Sequence, residues 1–394
     1  MLMAHKITLK PNNQQATYFA KACGVARFAY NWALTEWKRE YEAGGKPNQV
    51  ALRRKLNSIK EKEYPWMLEV TKNAPQMAII QLGTAYKNFF AKRAQYPQYR
   101  KKGTHDRFTL TNDQFAIKDS HIRIPNLGWV RMRESLRFQG KIMSATISRI
   151  ASRWFVSVTV EVPKESMPAA CENQAAVGVD LGLSSFATLS SGEVIKGPKP
   201  HKSLLPRLRR LSKSLSRKQK GSSNRTKAKR KLAKLHARIA NIRNDAIHQL
   251  TTRLTVNYTM IGIEDLNVKG MIKNRHLSRS IADMGLHEFR RQLEYKAEMR
   301  KSRVVIADQW YASSKICSLC AYKLPTLPLS IREWQCPQCL KQHDRDLNAA
   351  MNLEKLAVSS TVSACGASSD GAAVLAAASH GVMKQEFNAK STYV

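Results

Sequence analysis

The spacing of apolar residues changes character several times along this chain, and each change predicts a different kind of element. Lys6-Ile7-Thr8-Leu9-Lys10 alternates with period two and predicts a strand. From Asn12 to Tyr30, Tyr18, Phe19, Ala22, Val25, Ala26, Phe28 and Ala29 fall at helical spacing. Further helices are predicted over Val50 to Lys60 and Pro75 to Lys92. Pro47, Pro65, Pro75 and Pro97 punctuate these segments. From Arg107 to Val162 the period returns to two, in short runs around Phe108, Phe115, His121, Gly128, Ile142 to Ile150 and Trp154. Turn signals separate the runs, which predicts an all-β module, a small barrel.

The stretch 163–175 is polar, contains proline and reads as a linker. Ala176 to Leu189 predicts a strand, a tight glycine-containing stretch and a second strand. From Val194 to Asn244 there is no acidic residue, while Lys and Arg recur. Arg207, Arg210, Lys213, Arg217, Lys227, Arg230, Lys231, Lys234 and Arg238 take helix-compatible spacings. Leu208, Leu211, Leu215, Leu232, Leu235 and Ile239 supply an apolar stripe, so two basic helices joined at Gly221-Ser-Ser-Asn are predicted. A solvated helix face ordinarily mixes charge signs, and this one does not. Val256 to Asp265 predicts a buried strand ending in an acid, Leu277 to Met299 a helix and Arg303 to Ala307 a strand. Asp346 to Leu356 predicts a helix, and 359–394, rich in Ala, Ser and Gly, reads as a flexible tail.

Charge sharpens this picture. The 394 residues hold 66 basic and 29 acidic side chains, a formal net charge of +37. A charge of that size repels itself unless a polyanion compensates it. Nucleic acid fits best, because phosphates bind Lys and Arg with release of counterions. The sequence has no 18-residue apolar run, secretion signal or lipidation motif. A cytoplasmic, nucleoid-associated protein with no membrane partner is therefore expected. That setting argues against a disulfide framework among the seven cysteines. Cys23, Cys171 and Cys365 stand alone and read as small buried or surface residues.

The other four form Cys317-x2-Cys320-x15-Cys336-x2-Cys339, the spacing of a structural zinc site. Four thiolates close the coordination shell and leave no place for a catalytic water. Three acids are the remaining candidates. Asp180 lies in Ala-Val-Gly-Val-Asp-Leu-Gly-Leu, Glu264 in Met-Ile-Gly-Ile-Glu-Asp-Leu and Asp346 in His-Asp-Arg-Asp-Leu-Asn. Each has a plain structural account: a strand end, a buried strand with an exposed terminus, a helix start favoured by the dipole. The last account serves Asp344 equally well, and the residues themselves do not choose between the two. Their order and the phosphate-seeking charge around them point jointly to phosphodiester hydrolysis. Two magnesium ions roughly 4 Å apart, bridged by carboxylates, would activate water and neutralise the leaving oxygen.

Gly178-Val-Asp-Leu-Gly, Ile263-Glu-Asp-Leu, the double CxxC and Arg345-Asp-Leu-Asn-Ala-Ala-Met-Asn together resemble the TnpB family. These are transposon-encoded relatives of type V CRISPR effectors. Gly24-Val-Ala-Arg-Phe-Ala-Tyr-Asn, Thr84-Ala-Tyr-Lys-Asn-Phe-Phe and Asn126-Leu-Gly-Trp-Val are also similar to family segments, and the resemblance covers residues 5 to 358. It implies an RNA-guided endonuclease cleaving double-stranded DNA, with a guide RNA encoded by the transposon and a short target-adjacent motif read by protein. It also implies an α+β multidomain chain with a RuvC-like nuclease of ribonuclease-H fold and a zinc-ribbon insertion. Asp180, Glu264 and Asp346 match the catalytic positions, with Asp346 favoured over Asp344. The implied organisation is a wedge-type β-barrel (1–10 and 104–172) carrying a helical recognition insertion (11–103). A RuvC-like segment with the basic helices (173–312), the zinc insertion (313–342), a final RuvC-like helix (343–358) and the tail (359–394) follow. Lys72 to Gln76 and Thr111 match where the family reads its motif. Tyr96 and Tyr99, beside Arg100-Lys-Lys, are candidates for stacking on bases. Arg207, Arg210, Arg217, Lys227 and Arg230 are candidates for holding phosphates. A DNA-binding regulator without useful cleavage and a strand-transferring transposase are the competing readings.

Overall fold

The computed structural model of the chain describes residues 1–163 and 175–362. The expected linker falls largely, and the tail almost wholly, outside them, as do Cys171 and Cys365. The chain divides into two compact units, 1–169 with 198–249 and 170–197 with 250–394.

The first unit opens with β1 (Leu2–Leu9), α1 (Asn13–Glu42), α2 (Gln49–Glu63) and α3 (Asn73–Phe90). Strands β2 (Arg107–Thr111), β3 (Ala116–Lys118), β4 (His121–Ile124), β5 (Gly128–Arg131), β6 (Lys141–Ile150) and β7 (Arg153–Glu161) follow. Four of them form an antiparallel sheet in the order β1-β7-β6-β2, and β3-β4-β5 form a second, three-stranded sheet. An antiparallel bridge between Leu9 and Met132 joins the two regions. Asn12 caps α1 by accepting from the Gln15 amide at 2.8 Å, and Gln15 returns the bond in a capping box. The helix runs well past Tyr30, because Ala33 and Leu34 continue its buried stripe and Trp37 stacks on Tyr86 at 4.2 Å.

Helices α4 (Pro200–Ser216) and α5 (Ser223–Asn257) form the expected basic hairpin. Leu208, Leu235 and Ile239 make its seam, with Leu204, Leu211 and Leu232 against them. Arg225 closes the turn by donating to the carbonyls of Leu215 and Lys218 at 3.1 and 2.7 Å. Residues 198–249 of this hairpin group with the N-terminal unit, and 250–257 of α5 with the second. The reason is local: Lys234, Arg238 and Asn241 line one cavity of about 590 Å³ with Lys6, Arg153 and Phe155. Helix α5 also continues to Asn257, where a strand is expected from Val256. Buried Leu250 and Leu254 keep the helical period, and Thr255 Oγ1 donates back to the Thr251 carbonyl at 2.9 Å.

The second unit holds β8 (Ala176–Leu181), β9 (Ala187–Leu189), β10 (Val194–Ile195), β11 (Met260–Glu264) and β12 (Arg303–Ala307). They form one sheet in the order β10-β9-β8-β11-β12. The first three make an antiparallel meander, while β8, β11 and β12 run parallel. Between β11 and β12 lie α6 (Val268–Lys273), α7 (Ser278–Met284) and α8 (Leu286–Arg300). Gly285, at φ +69°, breaks the single helix expected over 277–299. The hairpin β13 (Glu333–Gln335) and β14 (Gln342–Asp344) leads directly into α9 (Arg345–Val362).

Helix α9 lies on β8 and β11, and two glycines explain how closely. Gly178 and Gly262 are register partners on the adjacent strands. A Cβ at Gly178 would stand 1.8 Å from the Ala350 carbonyl oxygen, and one at Gly262 2.2 Å from that of Leu353. Only glycine at both positions lets the helix backbone rest on the sheet.

Candidate active site and metal centre

Each glycine precedes an acid by two residues, so one face of the sheet carries both. Asp180 follows Gly178 on β8, and Glu264 follows Gly262 at the end of β11. Met260 to Ile263 pair with Ala176 to Val179, and one further step along the parallel register sets Glu264 beside Asp180. Asp346 sits in the first turn of α9, the helix those glycines admit. The three predicted acids are thus brought together at one end of the sheet.

Their proximity shows in Asp180. Burial first, then the charges of Glu264 and Asp346, push its carboxyl well above the usual carboxylate range. Arg345 and Arg332 pull the other way. Arg332 also lies 3.3 Å from Asp346 Oδ1. Asp344 behaves differently. It is exposed and accepts the Leu347 amide at 2.8 Å, which makes it the N-cap of α9. The geometry thereby separates two aspartates that the sequence could not.

A hard divalent cation fits this donor set. Burial and the neighbouring acids disfavour the ionised form of Asp180, and a cation among the three carboxylates would compensate both. Glu264 is further held by the buried Ser313 hydroxyl, which donates to Oε1. Sequence reasoning missed Ser313; its place four residues before the first cysteine was the available signal. A cleft of about 500 Å³ begins at Glu264 and is lined by Asn267, Lys269, His287, Arg290 and Gln309 among others. Arg290 in it bonds Asp265 at 2.5 Å and Glu294 at 2.9 Å.

The sulfurs of Cys317, Cys320, Cys336 and Cys339 all lie within 4.8 Å of one another, as a tetrahedral zinc requires. Among the described residues they are the one set of three or more potential metal ligands grouped in this way. His343 Nε2 lies 3.1 Å from Cys317 Sγ and packs its ring on Trp334. The isolated Cys23 is buried, and burial pushes its thiol up to about 12, as expected of an inert core residue.

The weaker predicted positions lie in the first unit. Lys72 and Gln76 flank the start of α3, and Asn73 between them donates to Thr111 Oγ1 at 3.0 Å, so the three are neighbours. Tyr96 is held inside an aromatic cluster: its hydroxyl meets that of Tyr86 at 2.9 Å and its ring meets Phe89 edge-on. Tyr99 stays 47% exposed, with Lys38 over its ring. Arg207, Arg210, Arg217, Lys227 and Arg230 are all exposed on the hairpin.

A five-stranded mixed sheet with carboxylates at two strand ends and a helix start, interrupted by a four-cysteine ribbon, defines a RuvC-like multidomain α+β protein. Residues 156–275 match a family model described as "Probable transposase". Residues 287–353 match one described as "Cas12f1-like, TNB domain". Residues 1–46, here a strand and one long helix, match a "Helix-turn-helix domain" model. A Streptomyces pristinaespiralis protein named "Putative RNA-guided DNA endonuclease" is 38% identical, over 92% of this chain and 90% of its own. The Escherichia coli K12 protein of that name, InsQ, is 34% identical over 93% and 94%. The fold is similar to the protein in a structure titled "Cryo-EM structure of the Cas12f1-sgRNA-target DNA complex", with TM-score 0.57 and 15% identity, covering 87% of this chain and 83% of that one. The chain belongs to the TnpB family, related to type V CRISPR effectors. No described helix is long and apolar enough to cross a membrane.

Proposed function

We propose that the chain is an RNA-guided endonuclease that cleaves double-stranded DNA beside a short target-adjacent motif. The observation that carries this is the convergence of Asp180, Glu264 and Asp346, with the Asp180 carboxyl pushed well above the usual carboxylate range by burial and its two acidic neighbours. The names of the two full-length relatives support the guided reading. Asp180, Glu264 and Asp346 would hold two magnesium ions, which when bound activate water and offset charge on the leaving oxygen. Arg332 and Arg345 keep positive charge beside the acids, where a scissile phosphate would be drawn. The four cysteines would hold structural zinc and do no chemistry.

The remaining assignments follow the same reading. A transposon-encoded guide RNA supplies sequence specificity, so the protein mainly holds phosphates. The two antiparallel sheets of the first unit serve as the wedge-type barrel, and α1 to α3 as the recognition insertion. Lys72, Gln76 and Thr111 read the adjacent motif, Tyr99 stacks on a base, and the exposed arginines of α4 and α5 grip phosphates. The chain works in the cytoplasm, on the nucleoid.

The test is plasmid cleavage by protein co-expressed with its native flanking DNA, using whatever discrete RNA co-purifies. Target-dependent linearisation in magnesium is expected. Asp180→Ala should lower the rate roughly 10³-fold, the loss of several kcal/mol of charge stabilisation, and leave RNA and target binding intact. Full cleavage by that variant refutes the site. The "Probable transposase" description keeps strand transfer as a second reading; joining of transposon ends without RNA would establish it instead.

A further inference from the structure

Ser313 is 4% exposed, so its hydroxyl must find a partner inside the protein, and it finds Glu264 Oε1. The residue does not sit on the sheet. It opens the loop that leads into the first cysteine knuckle, and α9 fastens that loop. Asn352 Nδ2 donates to the carbonyls of Ser313 and Ile316 at 2.8 and 2.6 Å. Asn348 Nδ2 donates to the same Ile316 carbonyl at 2.7 Å, while its Oδ1 accepts the Ser318 amide at 2.9 Å. Lys355 reaches the Ser318 carbonyl. Both asparagines are almost wholly buried, and four residues apart on a helix they present one polar face. A continuous chain of hydrogen bonds therefore runs from the cysteine knuckle, through two buried asparagines, to a candidate cation ligand.

The donor type matters. A lysine or arginine in place of Ser313 would neutralise Glu264 and compete with a cation. A neutral hydroxyl occupies one lone pair of Oε1 and leaves the charge and Oε2 available. It also removes rotational freedom from a carboxylate at a strand end.

We propose that Ser313, held by Asn352, is a positioning residue for Glu264, so that the loop entering the cysteine ribbon orients one carboxylate for divalent-cation binding. This rests on the active-site reading above. The experiment is Mn²⁺ titration of the full-length, zinc-loaded chain, followed by the EPR signal of free Mn²⁺, with zinc content and melting temperature measured alongside. Wild type, Ser313→Ala, Ser313→Thr and Glu264→Gln are compared. Ser313→Ala should keep its zinc and its melting temperature and bind Mn²⁺ roughly tenfold more weakly, about what one hydrogen bond to a charged group is worth. Ser313→Thr should restore binding. In cleavage, Ser313→Ala should require more magnesium for half-maximal rate yet approach the wild-type rate at saturation. Unchanged Mn²⁺ affinity in Ser313→Ala, while Glu264→Gln binds weakly, overturns the proposal and leaves the active site standing. Loss of zinc in Ser313→Ala assigns the residue a purely structural role and also overturns it. Equal Mn²⁺ binding by wild type and Glu264→Gln overturns both.

Discussion

At the scale of single residues, the informative ones are those whose surroundings contradict their chemistry. Asp180 is a carboxylic acid whose ionised form is disfavoured by burial and by two like charges. Its folded-state pKa lies above the unfolded value, so the folded chain binds more protons than the unfolded chain between the two. Stability of the metal-free protein therefore falls as pH rises through that window. Asp180→Asn should raise the melting temperature of metal-free protein by a few degrees at pH 8. The gap to wild type should close as the pH is lowered toward the ordinary carboxylate range. Magnesium should raise the melting temperature of wild type more than that of the variant, because binding to the folded state alone stabilises it. A pH-independent gap in calorimetric scans would refute the assignment of strain to Asp180. Asp344, two residues from Asp346, is spent locally: its carboxylate accepts the Leu347 amide and caps the helix it begins.

At the scale of elements, the site depends on α9 lying flat against β8 and β11. The paired glycines set that distance, and the helix in turn delivers Asp346 to the strand ends. Gly178→Ala should destabilise the second unit by roughly 3 kcal/mol, the upper range for overpacking, since backbone atoms on both sides leave nothing flexible to yield. It should also abolish cleavage at temperatures where the variant is still folded, because α9 must shift and Asp346 moves with it. Denaturant unfolding paired with a low-temperature cleavage assay checks this; a folded, fully active variant would show that the spacing is not required. The same glycines were visible in the sequence as Val-Gly-Val-Asp and Ile-Gly-Ile-Glu, yet nothing local gave their purpose. A glycine in a strand signals close approach without naming what approaches.

At the scale of the molecule, charge dominates, and the hairpin of α4 and α5 concentrates it on exposed faces around a thin leucine seam. Replacing Arg207, Arg210 and Arg217 together with Gln should weaken RNA and DNA binding without regard to sequence. The slope of log affinity against log salt should drop by about two to three, near one for each phosphate that is no longer neutralised. Anisotropy titrations across salt concentrations measure it, and an unchanged slope would remove these arginines from the interface. The sequence by itself determined what depends on local periodicity and spacing. That covers the helices of the first unit, the strands beside them, the cysteine quartet and the polyanion-seeking charge. Helix ends escaped it where long-range packing overrode local pattern: α1 was extended by Trp37 on Tyr86, and α5 ran on through Leu254. Only the tertiary structure decided which aspartate faces Asp180 and what holds Glu264. Those answers depend on pairs of residues tens to hundreds of positions apart, and periodicity carries no information about such pairs.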